Sequence, residues 1–271
     1  MISTSVYVDQ EREQVLSYLP MNHEQEWDFY FSNVDGKPGS FYLDMGLKDV
    51  APVNSMPHFF CVSLKMNDPR EDGLSSDREY DTLIEIENHL EDGIKDKRDI
   101  VYAGRLTFNG MREFYFYTAD PLLVEKTISE SLVRFPNYAC DFEVKDDKEW
   151  LYYLDFMYPD PRQVQSILNR RVIDSLEKNG DKLTKPREVN HWIYFRSIEA
   201  REKFIEQVKE KGFNIDGVET LNDREFKYQL RISRVDGVRH RDVNQYVLYL
   251  WELAGELDGE YDGWETSIEA E

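Results

Sequence analysis

Twice along this chain, short runs with the two-residue period of a strand and longer runs with the 3.6-residue period of a helix follow in the order β, α, β, β, α, β. The first series starts at HFFCVSLKM (58–66) and continues with a helix over 77–92 that carries Tyr80, Leu83, Ile84 and Leu90 on one face, with Asp77 as its cap. RDIVYAGRLTF and REFYFYT then flank Asn109-Gly110, a hairpin signal because both turn positions need positive φ. Asp120-Pro121 opens a second helix, pairing an acceptor side chain with a residue of preset φ, and YACDFEV is the closing strand.

The second series runs through EVNHWIYF and a helix from Ser197 to Lys211 that buries Ile198, Phe204, Ile205 and Val208. FNIDGVE, EFKYQLRISRV, a helix from Arg241 to Glu256 and GEYDGWETSI complete it, behind a leading helix from about Arg162 to Glu177. Ahead of the first series, EWDFYF and FYLDMGL around NVDGKPGS predict an extra hairpin, and WLYYLDFM after it predicts one more strand. The expected fold class is therefore α+β: two ferredoxin-like (βαββαβ) sandwich domains in tandem, the first with an added N-terminal hairpin. The expected domains are 1–157 and 158–271, divided at the PDP of YPDPRQ, where proline stops a strand and suits a helix start.

Charge separates the same regions. The 271 residues carry a formal net charge of −21. Residues 1–157 hold −16 of it, residues 158–251 are at +3, and the last twenty residues contain eight acids and no base. A nucleic-acid reader that works by bulk attraction is excluded, because phosphate binding needs a positive surface. With 41% hydrophobic residues the chain is too apolar for a disordered acidic tail. The first residues, MISTSVYVDQEREQVL, lack the basic and apolar blocks of a targeting signal, and no run approaches the roughly 18 apolar residues of a membrane span. These features predict a cytoplasmic protein without membrane contact. Cys61 and Cys140 sit in apolar stretches without CxxC spacing, which favours buried thiols over a disulfide or zinc site.

Complete catalytic motifs are missing: no GK[ST] phosphate loop, no strand-linked GxGxxG, no GxSxG, no HExxH. His240-Arg241-Asp242 spells the kinase triplet without its companions, since Val247 stands at the position of the metal-binding Asn. No catalytic residue, cofactor or metal is expected. Asp81, Glu85 and His89 form a ridge on the first helix that reads as a solvated face, with a metal or acid–base cluster as the sharper alternative. His58 and His191, beside aromatics in strands, read as edge or core histidines. Arg105 and Arg112 bracket the Asn109-Gly110 hairpin and offer a weak anion site, near Tyr115 and Tyr117; pairing with acids on neighbouring strands is the plainer role.

The C-terminal end carries the most distinctive residues. Glu260-Tyr261-Asp262-Gly263-Trp264-Glu265-Thr266, with the preceding helix and EVNHWIYF, resembles the closing part of the RraB family, the regulator of ribonuclease E activity B, over residues 162–271. Residues 20–157, with GRLTFNGMREFYFY and WLYYLDFMYP, resemble a domain family of unknown function that is found fused ahead of RraB-like domains. The first resemblance implies a non-enzymatic, protein-binding domain that inhibits a ribonuclease E type enzyme by contact. Family members are acidic single-domain proteins, whereas here the RraB-like body is slightly positive and an acidic domain precedes it.

For such a partner the acidic strip Glu252, Glu256, Asp258, Glu260, Asp262 and Glu265 would attract an arginine-rich surface, with Tyr261 and Trp264 as aromatic anchors or as core. The alternatives are a small-molecule or anion sensor in the N-terminal domain, and a metal-dependent enzyme built on the Asp81 ridge. A homodimer formed by edge pairing is compatible with the strand pattern, although strong negative charge opposes it.

Overall fold

The computed structural model describes residues 23–269, which divide into two compact units between Pro159 and Asp160. In the first unit, β1 (Trp27–Val34) and β2 (Lys37–Asp44) form the added hairpin. Its turn is the pair Asp35-Gly36, both at positive φ, so the Lys37-Pro38 stretch expected in a loop belongs to β2. The ferredoxin-like series follows as β3 (His58–Lys65), α1 (Asp77–Ile94), β4 (Ile100–Phe108), β5 (Met111–Thr118), α2 (Pro121–Leu132) and β6 (Cys140–Asp146). All six strands pair antiparallel in the order β1-β2-β4-β5-β3-β6. The last four positions are the ferredoxin arrangement read from its second strand.

The helices pack on one face, where Leu83, Ile86 and Leu90 of α1 meet Val62, Phe114 and Phe116. Ser76, not Asp77, precedes α1 as its N-cap, and Asp77 lies in the first turn, where a carboxylate suits the helix dipole. Asp120 does cap α2, accepting from the amides of Leu122 and Leu123.

WLYYLDFM is not a strand. Residues Tyr152–Met157 form one wide helical turn against the other sheet face. Trp150, Tyr153 and Met157 are fully buried, a three-and-four spacing that is helical. Asp147 nucleates the turn by accepting from the amides of Leu151 (2.8 Å) and Tyr152 (3.0 Å) and from Tyr117 Oη (2.6 Å). Trp150 stacks on Tyr117 with ring centroids 3.9 Å apart. A run of eight that is apolar or aromatic except at Asp155 fits strand and helix alike, and this cap decides between them.

The second unit has α3 (Pro161–Lys178), β7 (Arg187–Phe195), α4 (Ile198–Glu210), β8 (Asn214–Thr220), β9 (Tyr228–Asp236), α5 (His240–Glu256) and β10 (Gly259–Thr266). Its strand order, β10-β7-β9-β8, is again ferredoxin-like. Asp160 and Gln163 form a reciprocal capping box at α3, with Pro161 at its first position. Phe204, Ile205 and Val208 of α4 enter a core with Ile193, Leu230 and Val247, while Ile198, expected inside, is exposed at the first turn. Two tandem α+β domains with antiparallel sheets of six and four strands are thus the architecture.

Candidate functional site

The acidic strip runs from the end of α5 along β10, an edge strand. All six carboxylate residues are exposed. Three carry ion pairs: Glu252 with Arg162 at 2.7 Å, Asp258 with Arg196 at 3.4 Å and Glu260 with Arg224 at 3.5 Å. Among the described residues no ion pair is formed by Glu256, Asp262 or Glu265. Exposed pairs of this kind contribute about 0–1 kcal/mol, so the strip adds little to the stability of the fold.

Tyr261 and Trp264 are core side chains and not surface anchors, at 9% and 8% exposure. Strict alternation would send residues three apart to opposite sheet faces. A bulge at Asp262 resets it: Tyr261 stands opposite Ile193, Gly263 opposite Trp192 and Trp264 opposite His191, so both rings turn inward. Trp264 Nε1 donates to Asn169 Oδ1 at 3.1 Å, and Tyr261 Oη lies 2.8 Å from His191 Nδ1. The distinctive heptapeptide therefore closes the core and leaves its charges outside.

His191 is fully buried. Burial, helped by the charge of Arg234, pushes its pKa down to about 3. The folded state holds the imidazole neutral, so the associated stability is complete above the ordinary value near 6.5 and is lost as pH falls toward 3. Between neutrality and about pH 4.5 the loss from this group is roughly 3 kcal/mol. Urea unfolding of the intact chain at both pH values, beside His191→Gln, checks it: the variant is expected to lack this increment. An equal acid loss in both proteins would place the cause elsewhere.

In the N-terminal unit, Arg105 and Arg112 do converge, but with a partner that the sequence reading missed. Glu87, 4% exposed, accepts from Arg105 Nε at 2.6 Å and from Tyr102 Oη at 2.8 Å. It comes from α1 and not from a neighbouring strand. Its signal was present, since it interrupts the apolar stripe Leu83, Ile86, Leu90, Ile94. Glu79 on the same stripe is also buried, accepting from the amides of Asn67 and Asp68, both at 2.7 Å. Tyr115 and Tyr117 lie on the opposite face of β5 from Arg112, because their odd positions alternate with its even one. They donate to Glu113 and Asp147 instead.

The Asp81, Glu85, His89 ridge is no ligand set. His89 Nδ1 lies 2.9 Å from the Glu85 carbonyl and Nε2 lies 2.6 Å from Arg134 Nη1, which engages both ring nitrogens. Among the described residues no group of three or more His, Cys, Asp or Glu side chains is placed to hold a metal. Both cysteines are free, and burial pushes the Cys61 thiol up to about 12, which keeps it protonated. None of the described helices is long and apolar enough to cross a membrane.

Comparison with known proteins adds to this geometry. The model of a family of unknown function, DUF695, matches residues 25–158, and that of regulator of ribonuclease activity B, RraB, matches residues 166–266. No curated protein matches the chain. A crystal structure of an unknown protein from Galdieria sulphuraria shares 10% identity, with 79% of this chain and 99% of that one covered and a TM-score of 0.22. A structure described as a candidate glycine cleavage system transcriptional repressor shares 12%, covering 78% and 98%, at a TM-score of 0.22. Likeness at that level supports no conclusion. The two family matches each lie within one compact unit, that of DUF695 in the first and that of RraB in the second.

Proposed function

We propose that this is a non-enzymatic, cytoplasmic regulator whose C-terminal domain binds a ribonuclease, of ribonuclease E type, through its acidic face. The observation that carries the reading is the RraB match over 166–266, a stretch that contains all six strip carboxylates. An arginine-rich surface that holds RNA is attracted by the same charges, so the domain competes with RNA and meets its partner faster at low salt. With Tyr261 and Trp264 in the core, recognition falls to the carboxylates and to their rigid placement on a packed strand. The same charges oppose pairing of this edge with a second copy.

The test is a salt titration of binding between the intact protein and a purified ribonuclease E, alongside the variant Glu256→Gln, Asp262→Asn, Glu265→Gln. These three positions carry no ion pair among the described residues, so their neutralisation leaves the fold alone. Binding is expected to weaken roughly tenfold, from three rim charges of about 0.5 kcal/mol each, and its salt dependence to flatten. Unchanged affinity with an unchanged salt slope removes the strip from the mechanism.

A further inference from the structure

The N-terminal sheet is wider than its helices cover. Two helices side by side span about 20 Å, the width of about four strands at roughly 4.8 Å each, and this sheet has six. On the helix side the surplus becomes a cleft of about 470 Å³ between α1 and the β1-β2 hairpin, a volume suited to a small molecule.

Two successive rungs of the sheet build its floor. One runs Phe29, Tyr42, Arg105 across β1, β2 and β4, and the next runs Phe31, Ser40, Thr107, Arg112 as far as β5. A bulge in β4 makes this possible, because it puts Tyr102 and Arg105, three apart, on the same face. Gly104 permits the bulge at φ +144°, where a Cβ would come within 2.4 Å of the Tyr42 carbonyl oxygen.

The charges in the cleft do not balance. Arg112 is 1% exposed, and its Nε donates to Thr107 Oγ1 at 3.1 Å. Among the described residues its Nη1 has no hydrogen-bond partner, and it lies 3.8 Å from Glu87, whose oxygens serve Arg105 and Tyr102. One buried carboxylate thus faces two buried guanidiniums, and a buried donor without an acceptor costs free energy that an anion would recover. Glu91 and Arg70, the latter paired with Asp72, also line the cleft, so that three guanidiniums and two carboxylates face into it. The mouth shows three exposed rings, Phe29 at 41%, Phe31 at 62% and Tyr80 at 48%.

We propose that this cleft binds a small molecule with a single carboxylate on a flat, apolar body. The carboxylate meets Arg112 beside Arg105, and the body lies against Phe31, Phe29 and Tyr80. A second negative charge is disfavoured by Glu87 and Glu91, which separates this class from phosphates. The inference is independent of the ribonuclease reading, since it concerns the other domain.

The experiment uses the intact protein and four probes: 3-phenylpropionate, 3-phenylpropanol, acetate and inorganic phosphate, with binding followed by calorimetric titration and thermal shift. 3-Phenylpropionate is expected to bind at least tenfold more tightly than each of the other three. Phe31→Ser, at an exposed ring, should weaken it several-fold, and Arg112→Lys should remove the preference for acid over alcohol. Equal binding of acid and alcohol, preference for phosphate, no binding by any probe, or an unchanged affinity in Phe31→Ser would each overturn the proposal. Should Arg112→Lys fail to fold, the probe series and Phe31→Ser still decide it.

Discussion

Replacing Glu87 with alanine lowers the stability of the N-terminal domain by about 3–5 kcal/mol. Among the described residues Glu87 is the one carboxylate in hydrogen-bond contact with the buried Arg105, and it also takes the Tyr102 hydroxyl. Its removal strands two guanidiniums and a phenol where water reaches poorly, since Arg105 is 9% and Arg112 1% exposed. Desolvation, with repulsion from Arg105, already draws the Arg112 pKa down to about 10, so this guanidinium is under strain even with the carboxylate in place. Glu87→Gln keeps an acceptor and loses only the charge, and is expected to fall between wild type and alanine. Calorimetric unfolding of the intact chain reads the shift in the N-terminal transition. A cost below about 1 kcal/mol would mean that solvent screens the pair as it does on a surface, and would weaken the case for a desolvated cleft.

Trp264→Ala has an effect of similar size in the other domain, about 3–5 kcal/mol, the usual range for a large aromatic removed from a core. The ring is 8% exposed among Val189, Ile193 and Leu253. Its Nε1 holds Asn169, fully buried, which in turn donates to Asn244 at 2.8 Å and so ties α3 to α5. Trp264→Phe keeps most of the packing and isolates the hydrogen bond, at about 1–2 kcal/mol. Glu265→Ala, beside it and pointing out, should stay within about 0.5 kcal/mol. Chemical unfolding with far-ultraviolet dichroism distinguishes the roles. If Trp264→Ala unfolds like wild type and only partner binding suffers, the ring is an interface anchor and its packing is incidental.

Both domains show what local pattern determines. The βαββαβ order, the Asn109-Gly110 turn and the Asp120 cap follow from residue period and turn chemistry, which act within a few positions along the chain. The RraB likeness was also carried by a contiguous heptapeptide, and the family match covers it. The 150–157 run was ambiguous for the same reason: its own residues favour strand and helix equally, and a carboxylate at Asp147 with Tyr117 on another strand broke the tie.

What the tertiary structure alone decided is which face each side chain takes and what it meets there. A single bulged residue in β10 turns Tyr261 and Trp264 inward together, and another in β4 brings Tyr102 and Arg105 to one side with Glu87 of α1. Alternation along a strand is a local property, but a bulge depends on the register with its neighbour, and a buried charge depends on which element lies across from it. Those contacts join residues far apart in sequence, such as Glu87 with Arg105 and Trp264 with Asn169, so no window of residues contains them.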